Sequence, residues 1–377
     1  MTPRVFFYVQ HLLGIGHLRR AAVLARTLAD GGFDVLLVSG GAPLALELGR
    51  ARLHQLPPVR ARDEGLRELV QLDGVPIDSA FRTARAQELV SLLHAEAPSV
   101  VITEQFPFGR TQLRFELVPL LDAARALRPR PLVVSSVRDV VRRTVSPQRV
   151  AETLELLDAF DLVLIHADPR IADFGASFAA WDRIAARAVY TGYVASPDRG
   201  TSASDAGKDE VVVSVGGGAV GAPLLKAALA ARRQGALADR RWRLLVGANL
   251  SDADRGALGG QDGVIIEPAR ADFPTLLANA ALSISQAGYN TVVDVLRFAD
   301  RAVLVPFATE RETEQSDRAH LLAARGMAAV VPAEALTASR LAAGIAAALS
   351  GPSLRSFPRC NVDGATRTVE LLRAKVV

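Results

Sequence analysis

The stretch RVFFYVQHLLGIGHLRRAAVLARTLAD, residues 4–30, runs from a β-branched and aromatic segment through Gly14-Ile15-Gly16 into a helical pattern. RVFFYVQ suits a buried strand, and Leu18, Ala21, Ala22, Ala25 and Leu28 lie on one helical face. A strand that passes through glycines into a helix is the opening of a parallel α/β unit.

The turn itself has competing readings. A dinucleotide fingerprint needs a third glycine where Arg19 stands and an acidic residue ending the next strand, whereas Asp34 precedes that strand. The backbone N–H groups at the helix start can instead hold an anion, with Gly14 and Gly16 letting a ligand approach closely. His17 directly follows Gly16, and its near-neutral pKa suits a general base that takes a proton from a hydroxyl or water; a capping or core histidine is the alternative.

Outward from this motif the pattern repeats. FDVLLVSG is followed by a helical pattern from Ala42 to Arg52, SVVITE by one from Phe115 to Leu127, RPLVVSSV by one from Gln148 to Phe160, and DLVLIHA closes the series. ASPDRGTSASDAGKDE, residues 195–210, is rich in Ser, Asp and Gly and reads as a linker. EVVVSVGGG, WRLLVGAN, GVIIEPA, LSISQAG and RAVLVPF then start a second series, with helices from about Pro223, from Asp272 to Ala280 and through Val295. The expected fold is therefore α/β, two doubly wound Rossmann-like domains facing a cleft. The expected boundaries are 1–195, a linker at 196–209, a second domain at 210–355 and a C-terminal segment at 356–377 whose helix, GATRTVELLRA, can pack back on the first domain.

Bulk composition agrees. A chain of 377 residues exceeds one ordinary core, and 50% hydrophobic with 22% charged residues suits a globular protein. A single cysteine, Cys360, excludes an internal disulfide and a multi-cysteine zinc site and fits a reducing cytoplasm. Neither a signal peptide nor an uninterrupted apolar span of about eighteen residues is visible. A net charge of +4 with 5% aromatics is too dilute for nucleic acid, but suits an anionic ligand or peripheral contact with the inner face of a membrane.

Four further stretches carry chemistry. VVVSVGGGAVGAPLLKAAL, residues 211–229, places Gly216, Gly217 and Gly218 before a helix, so that their amides suit a diphosphate; without a Gly-Lys-Ser/Thr ending this is not a Walker loop, and a ligand-free tight turn is the alternative. SISQAGYNTVVDVL, residues 283–296, has the same shape, with Gln286 and Gly288 at the turn and Asn290 and Thr291 as cap or first-turn residues. VPFATERETEQSDRAHLLAARG, residues 305–326, brings Glu310, Glu312, Glu314 and Gln315 ahead of an amphipathic helix, as sugar-hydroxyl ligands or as a solvated acidic helix start. Glu104 in TEQFPFGRTQ and Asp139, beside Arg138 in SSVRDVVRR, end two strands and are candidate assistants to His17, acceptor ligands or structural ion pairs.

YVQHLLGIGHLRRA, VRDV, YTGYV and SISQAGYNTVVDVL together resemble the family 28-like, MurG-related GT-B glycosyltransferases along most of the chain. The resemblance implies His17 as general base, Gly216, Gly217 and Gly218 as the diphosphate loop, and Asp294 on the ribose hydroxyls. It also puts Glu314 and Gln315 near the donor sugar, and Ile265, Ile266 and Arg270 near the nucleobase. Two positions depart from the family pattern, Asp294 standing for Glu and Glu314-Gln315 for a Gln-Gln pair.

The expected activity is inverting, metal-independent transfer of a sugar from a nucleoside-diphosphate donor, a UDP-hexose or UDP-N-acetylhexosamine, to an acceptor hydroxyl. No cofactor is implied, and Phe106, Phe108 and Phe115 hint at a lipid-linked or aromatic acceptor. A sugar-nucleotide hydrolase in which His17 activates water, resembling the pseudaminic-acid pathway hydrolase in its GxGH turn, and a non-catalytic nucleotide-sugar-binding subunit are the alternatives.

Overall fold

Strand β1 (Arg4–Val9) is buried from Val5 to Val9, as a strand covered on both faces must be. The computed structural model describes residues 2–63, 68–141, 146–196, 200–215, 221–247, 261–307 and 313–376, together with 250, 254, 256 and 258. Two compact units form, one from Met1–Val194 with Asn361–Val377 and one from Ala195–Cys360.

In the first unit β1 leads into α1 (Gly16–Asp30) and β2 (Asp34–Ser39). Next come β3 (Arg52–Gln55), β4 (Arg60–Ala61), β5 (Leu69–Val70), α2 (Ser79–Glu96) and β6 (Val100–Glu104). The series ends with α3 (Arg114–Ala126), β7 (Leu132–Val137), α4 (Pro147–Leu157), β8 (Leu162–Ile165) and β9 (Ala188–Tyr190). One parallel seven-stranded sheet has the order β3-β2-β1-β6-β7-β8-β9, while β4 and β5 pair antiparallel.

The second unit repeats the plan. It contains β10 (Val211–Ser214), α5 (Ala222–Arg232), β11 (Trp242–Val246), β12 (Val264–Pro268), α6 (Phe273–Asn279) and β13 (Leu282–Ser285). α7 (Tyr289–Phe298), β14 (Ala302–Leu304), α8 (Glu314–Ala324), β15 (Ala329–Val330) and α9 (Ala338–Ser350) complete it. Its parallel sheet has the order β12-β11-β10-β13-β14-β15.

The chain then supplies α10 (Gly364–Val376) to the first unit. Val369 and Leu372 join the core formed by Leu24, Leu28 and Val35, and Arg373 donates to the carbonyl of Gly31. A Cβ on Gly31 would lie 2.6 Å from Val369 Cγ1, so the close approach of α10 requires glycine there.

The structure corrects one expected helix. Ala42–Arg52 is not helical, and Arg52 already opens β3. Leu46 and Leu48 both pack against the core while Glu47 between them is exposed, a period of two that suits extended chain. Helix α2 escapes the apolar-stripe reading because its buried positions are Arg85, Leu89 and Leu93, a stripe headed by a charge.

That buried arginine is held by a polar cluster. Arg85 Nε donates to Glu116 Oε2 at 2.5 Å and Nη2 to Gln10 Oε1 at 2.9 Å, while the Tyr8 hydroxyl donates to Glu116 Oε1. Burial, then the Glu116 charge, holds the Tyr8 phenol well above its usual pKa. The cluster ties α2 and α3 to β1 and to the chain after β2.

Candidate functional site

In the first sheet the strand order reverses around β1, with β2 on one side and β6 on the other. Ligands of parallel α/β sheets bind beyond the carboxyl ends of strands at such a reversal. His17 stands there, in the first turn of α1, and Glu104 is the last residue of the adjoining β6.

The two side chains meet: His17 Nδ1 lies 2.9 Å from Glu104 Oε1. Arg20, one helical turn further along α1, also donates to Glu104 Oε1, and Ser136 Oγ of β7 donates to Glu104 Oε2 at 3.0 Å. Glu104 is fully buried, whereas the His17 side chain keeps about 10% of its surface exposed. Burial pushes the His17 imidazole well below its usual 6.5, and the charges of Arg138, Arg110, Arg20 and His11 act in the same direction. A neutral imidazole that donates through Nδ1 to a carboxylate presents Nε2 as a proton acceptor.

The chain around the pair is shaped for it. α1 starts at Ile15 without a side-chain cap, and no atom of the described residues lies within 4 Å of a Cβ built on Gly14. Gln105, directly after Glu104, has φ of +67° and Arg110 has +63°, left-handed conformations that bracket the turn after β6. Asp139 is fully buried beyond β7, where its Oδ1 accepts from the backbone of Val140 at 3.0 Å.

Sequence reading passed over three polar partners of this site. Ser136 Oγ lies 3.0 Å from His166 Nε2, and His166 Nδ1 lies 2.8 Å from Thr191 Oγ1. The signal available was a polar residue at or just past the end of successive strands, in SSV, LIH and YTG.

In the second unit the reversal lies at β10, flanked by β11 and β13. The backbone N–H of Gln286 donates to Ser214 at 3.3 Å, and Gly288 is the N-cap of α7, which puts Asn290 and Thr291 in its first turn and Asp294, buried, in its second. Gly216, Gly217 and Gly218 follow β10 in sequence but lie outside the described residues, as do Glu310 and Glu312. Glu314 opens α8, and Gln315 follows it.

Gln315 performs a bridging task. Its Oε1 accepts from the backbone of Ala287 at 3.0 Å and of Phe307 at 3.2 Å, tying the turns after β13 and β14 together. Arg318, three residues on and so on the same helical face, donates to the carbonyl of Ala287 at 2.8 Å and lies 5.9 Å from the Tyr289 ring centroid. At β12, Ile266 pairs in register with Leu244, and Arg270 is held by Asp272 at 2.6 Å and Glu267 at 3.3 Å. Among the described residues no group of three or more His, Cys, Asp or Glu is arranged to hold a metal ion, and no helix is long and apolar enough to cross a membrane.

Comparison with known proteins adds a family. Residues 212–361 match the model of the glycosyltransferase family 28 C-terminal domain. A 107-residue segment is 35% identical to the UDP-N-acetylglucosamine–N-acetylmuramyl-(pentapeptide) pyrophosphoryl-undecaprenol N-acetylglucosamine transferase of Rhodospirillum centenum, a match spanning 28% of each chain. The fold is similar to that of MurG from Acinetobacter baumannii, with a TM-score of 0.62, 17% identity and 99% of both chains covered. It is also similar to the spinosyn rhamnosyltransferase SpnG complexed with thymidine diphosphate, with a TM-score of 0.61, 18% identity, and 100% of this chain and 96% of that one covered. Residues 212–361 thus match a glycosyltransferase family 28 C-terminal domain, and the two parallel α/β units have the GT-B fold.

Proposed function

We propose that this protein is an inverting, metal-independent glycosyltransferase that moves a sugar from a nucleoside-diphosphate donor, a UDP-hexose or UDP-N-acetylhexosamine, to an acceptor hydroxyl. The observation that carries the reading is the His17–Glu104 pair, 2.9 Å apart beyond the reversal of the first sheet, in a chain whose second unit matches a glycosyltransferase domain.

In the proposed reaction His17 Nε2 takes the proton from the acceptor hydroxyl as its oxygen bonds to the anomeric carbon and the bond from that carbon to the diphosphate oxygen breaks. Glu104 stabilises the resulting imidazolium and holds the ring in place. The leaving diphosphate is stabilised by amides at helix N-termini, with Gly216, Gly217 and Gly218 as the phosphate loop and Gln286, Gly288, Asn290 and Thr291 at the start of α7. Asp294 takes the ribose hydroxyls, Ile266 and Arg270 lie at the base, and Glu314 and Gln315 contact the donor sugar. With its Oε1 committed to Ala287 and Phe307, Gln315 contributes its amide nitrogen. Gly14 and Gly16 admit the ligand beside His17, and Asp139 supports the acceptor side.

The test is incubation with a panel of UDP- and TDP-sugars, with and without acceptor extracts. Acceptor-dependent release of the nucleoside diphosphate, abolished in His17→Ala, is the expected result. Release of free sugar at the same rate without acceptor assigns hydrolysis instead, and turnover unchanged in His17→Ala removes the base.

A further inference from the structure

We propose that Thr191, His166 and Ser136 form a one-way hydrogen-bond relay that ends on Glu104, and that through it they act as positioning residues fixing which nitrogen of His17 faces the substrate. The functional half of this inference rests on the reading of His17 as base; the proton arrangement itself rests on the structure alone.

The argument is a count of protons. The Ser136 hydroxyl has one proton and two claimants, Glu104 Oε2 and His166 Nε2, each at 3.0 Å. Were the proton on the His166 side, two oxygens without a proton between them would face each other at Glu104 Oε2, in a place where nothing solvates them. Glu104 is the carboxylate partner of buried Arg20, so it can only accept. The Ser136 proton therefore belongs to Glu104, and Ser136 Oγ must accept from His166 Nε2–H.

A neutral His166 then has no proton left on Nδ1. That nitrogen accepts from the Thr191 hydroxyl at 2.8 Å. Thr191 Oγ1 also lies 3.1 Å from Gly192 O and 3.3 Å from Ile165 O, but His166 Nδ1 is the nearest of the three acceptors, and Ile165 O already accepts from the backbone N–H of Ala167 and of Thr191. Burial keeps both imidazoles below their usual pKa, which supports the neutral count.

Every proton along the chain points toward Glu104, which receives one from Ser136 on Oε2 and those of Arg20 and His17 on Oε1. The two histidines consequently hold opposite tautomers, His17 protonated on Nδ1 and His166 on Nε2. Only the first leaves Nε2 of His17 as the acceptor that a base in this position needs.

Nitrogen-15 NMR of the histidine-labelled full chain at pH 7.5, with His17→Gln and His166→Gln used to assign the resonances, reads the tautomers directly. The expected result is Nδ1–H for His17 and Nε2–H for His166; finding His166 protonated on Nδ1, or His17 on Nε2, in the unaltered chain overturns the relay. Ser136→Ala is expected to flip His166 to Nδ1–H and, by releasing Glu104 Oε2 so that the carboxylate can turn away from His17 Nδ1, to convert part of His17 to the Nε2–H form; Ser136→Thr, which keeps a hydroxyl, is expected to restore both. An unchanged His17 tautomer in Ser136→Ala overturns the positioning role. If His17→Ala retains full sugar transfer while the tautomers are as expected, the base assignment fails and the proton arrangement stands.

Discussion

His17 Nδ1 and Glu104 Oε1 lie 2.9 Å apart although eighty-seven residues separate them in the chain. The contact exists because β1 and β6 are neighbours in the sheet and both deliver their following residues to the same edge. A buried carboxylate that fixes one imidazole nitrogen turns a histidine at a helix start into a directional proton acceptor.

The pH dependence of turnover follows from burial. His17 is pushed below 6.5 by desolvation and by Arg138, Arg110, Arg20 and His11, so it remains unprotonated through neutral pH. The kcat/KM profile for the sugar donor should be flat above pH 6.5 on its acid side and fall only below that value. An acid limb centred above pH 6.5 contradicts the buried setting of the base.

Stability should follow the same histidines. His11 is lowered from 6.5 to about 4 by burial and then by Arg110, and His17 and His166 are also depressed. A depressed imidazole binds protons more tightly in the unfolded chain, so its contribution is complete above pH 6.5 and is lost as pH falls toward 4. Neither ring nitrogen of His11 has a hydrogen-bond partner among the described residues. His11→Leu should therefore flatten the loss of thermal stability between pH 6.5 and 4.5, by about 1–3 kcal/mol at the acid end. An unaltered slope removes His11 from the account.

The Arg85–Glu116 pair should obey the asymmetry of buried charges. Arg85→Met leaves Glu116 buried beside Tyr8 without its guanidinium partner and should cost about 3–5 kcal/mol in urea unfolding of the first unit. The double variant with Glu116→Leu should recover most of that loss. Gly40→Ala should resemble the single variant, since its Cβ would lie 2.1 Å from both Arg85 Nη2 and Gln10 Oε1.

Gln315 offers a separation of roles in the second unit. Gln315→Leu removes the acceptor shared by Ala287 and Phe307 and should cost about 1–3 kcal/mol while raising the KM for the sugar donor. Gln315→Glu keeps an acceptor oxygen at the bridge, so its stability should stay near wild type. Equal destabilisation by both variants contradicts the bridge.

Sequence periodicity exposed the strands because β1, β2, β6, β7, β8, β10, β11 and β13 are short apolar runs bounded by glycines or charges, and it placed α1 through its small apolar stripe. Helix α2 is hidden because Arg85 occupies a core position made tolerable by partners far away in sequence, Glu116 thirty-one and Gln10 seventy-five residues off. Ala42–Arg52 is ambiguous in the sequence because Leu44, Leu46, Leu48 and Ala51 satisfy a loose helical spacing as well as an extended one. The site was legible at His17 and Glu104, each of which ends or follows a strand. Ser136, His166 and Thr191 lie on three different strands or their ends, and their meeting depends on sheet order and register, which local pattern does not encode.

The return of α10 to the first unit has a consequence for synthesis. On the ribosome the residues from Met1 to Val194 emerge first, yet the face of α1 that Val369 and Leu372 cover stays open until α10 itself has left the exit tunnel. The second unit, one uninterrupted block of chain, has no such dependence. The helix that bears His17 and Arg20 is thus begun before the second unit is made and sealed after it, so vectorial production completes the first unit only after the second.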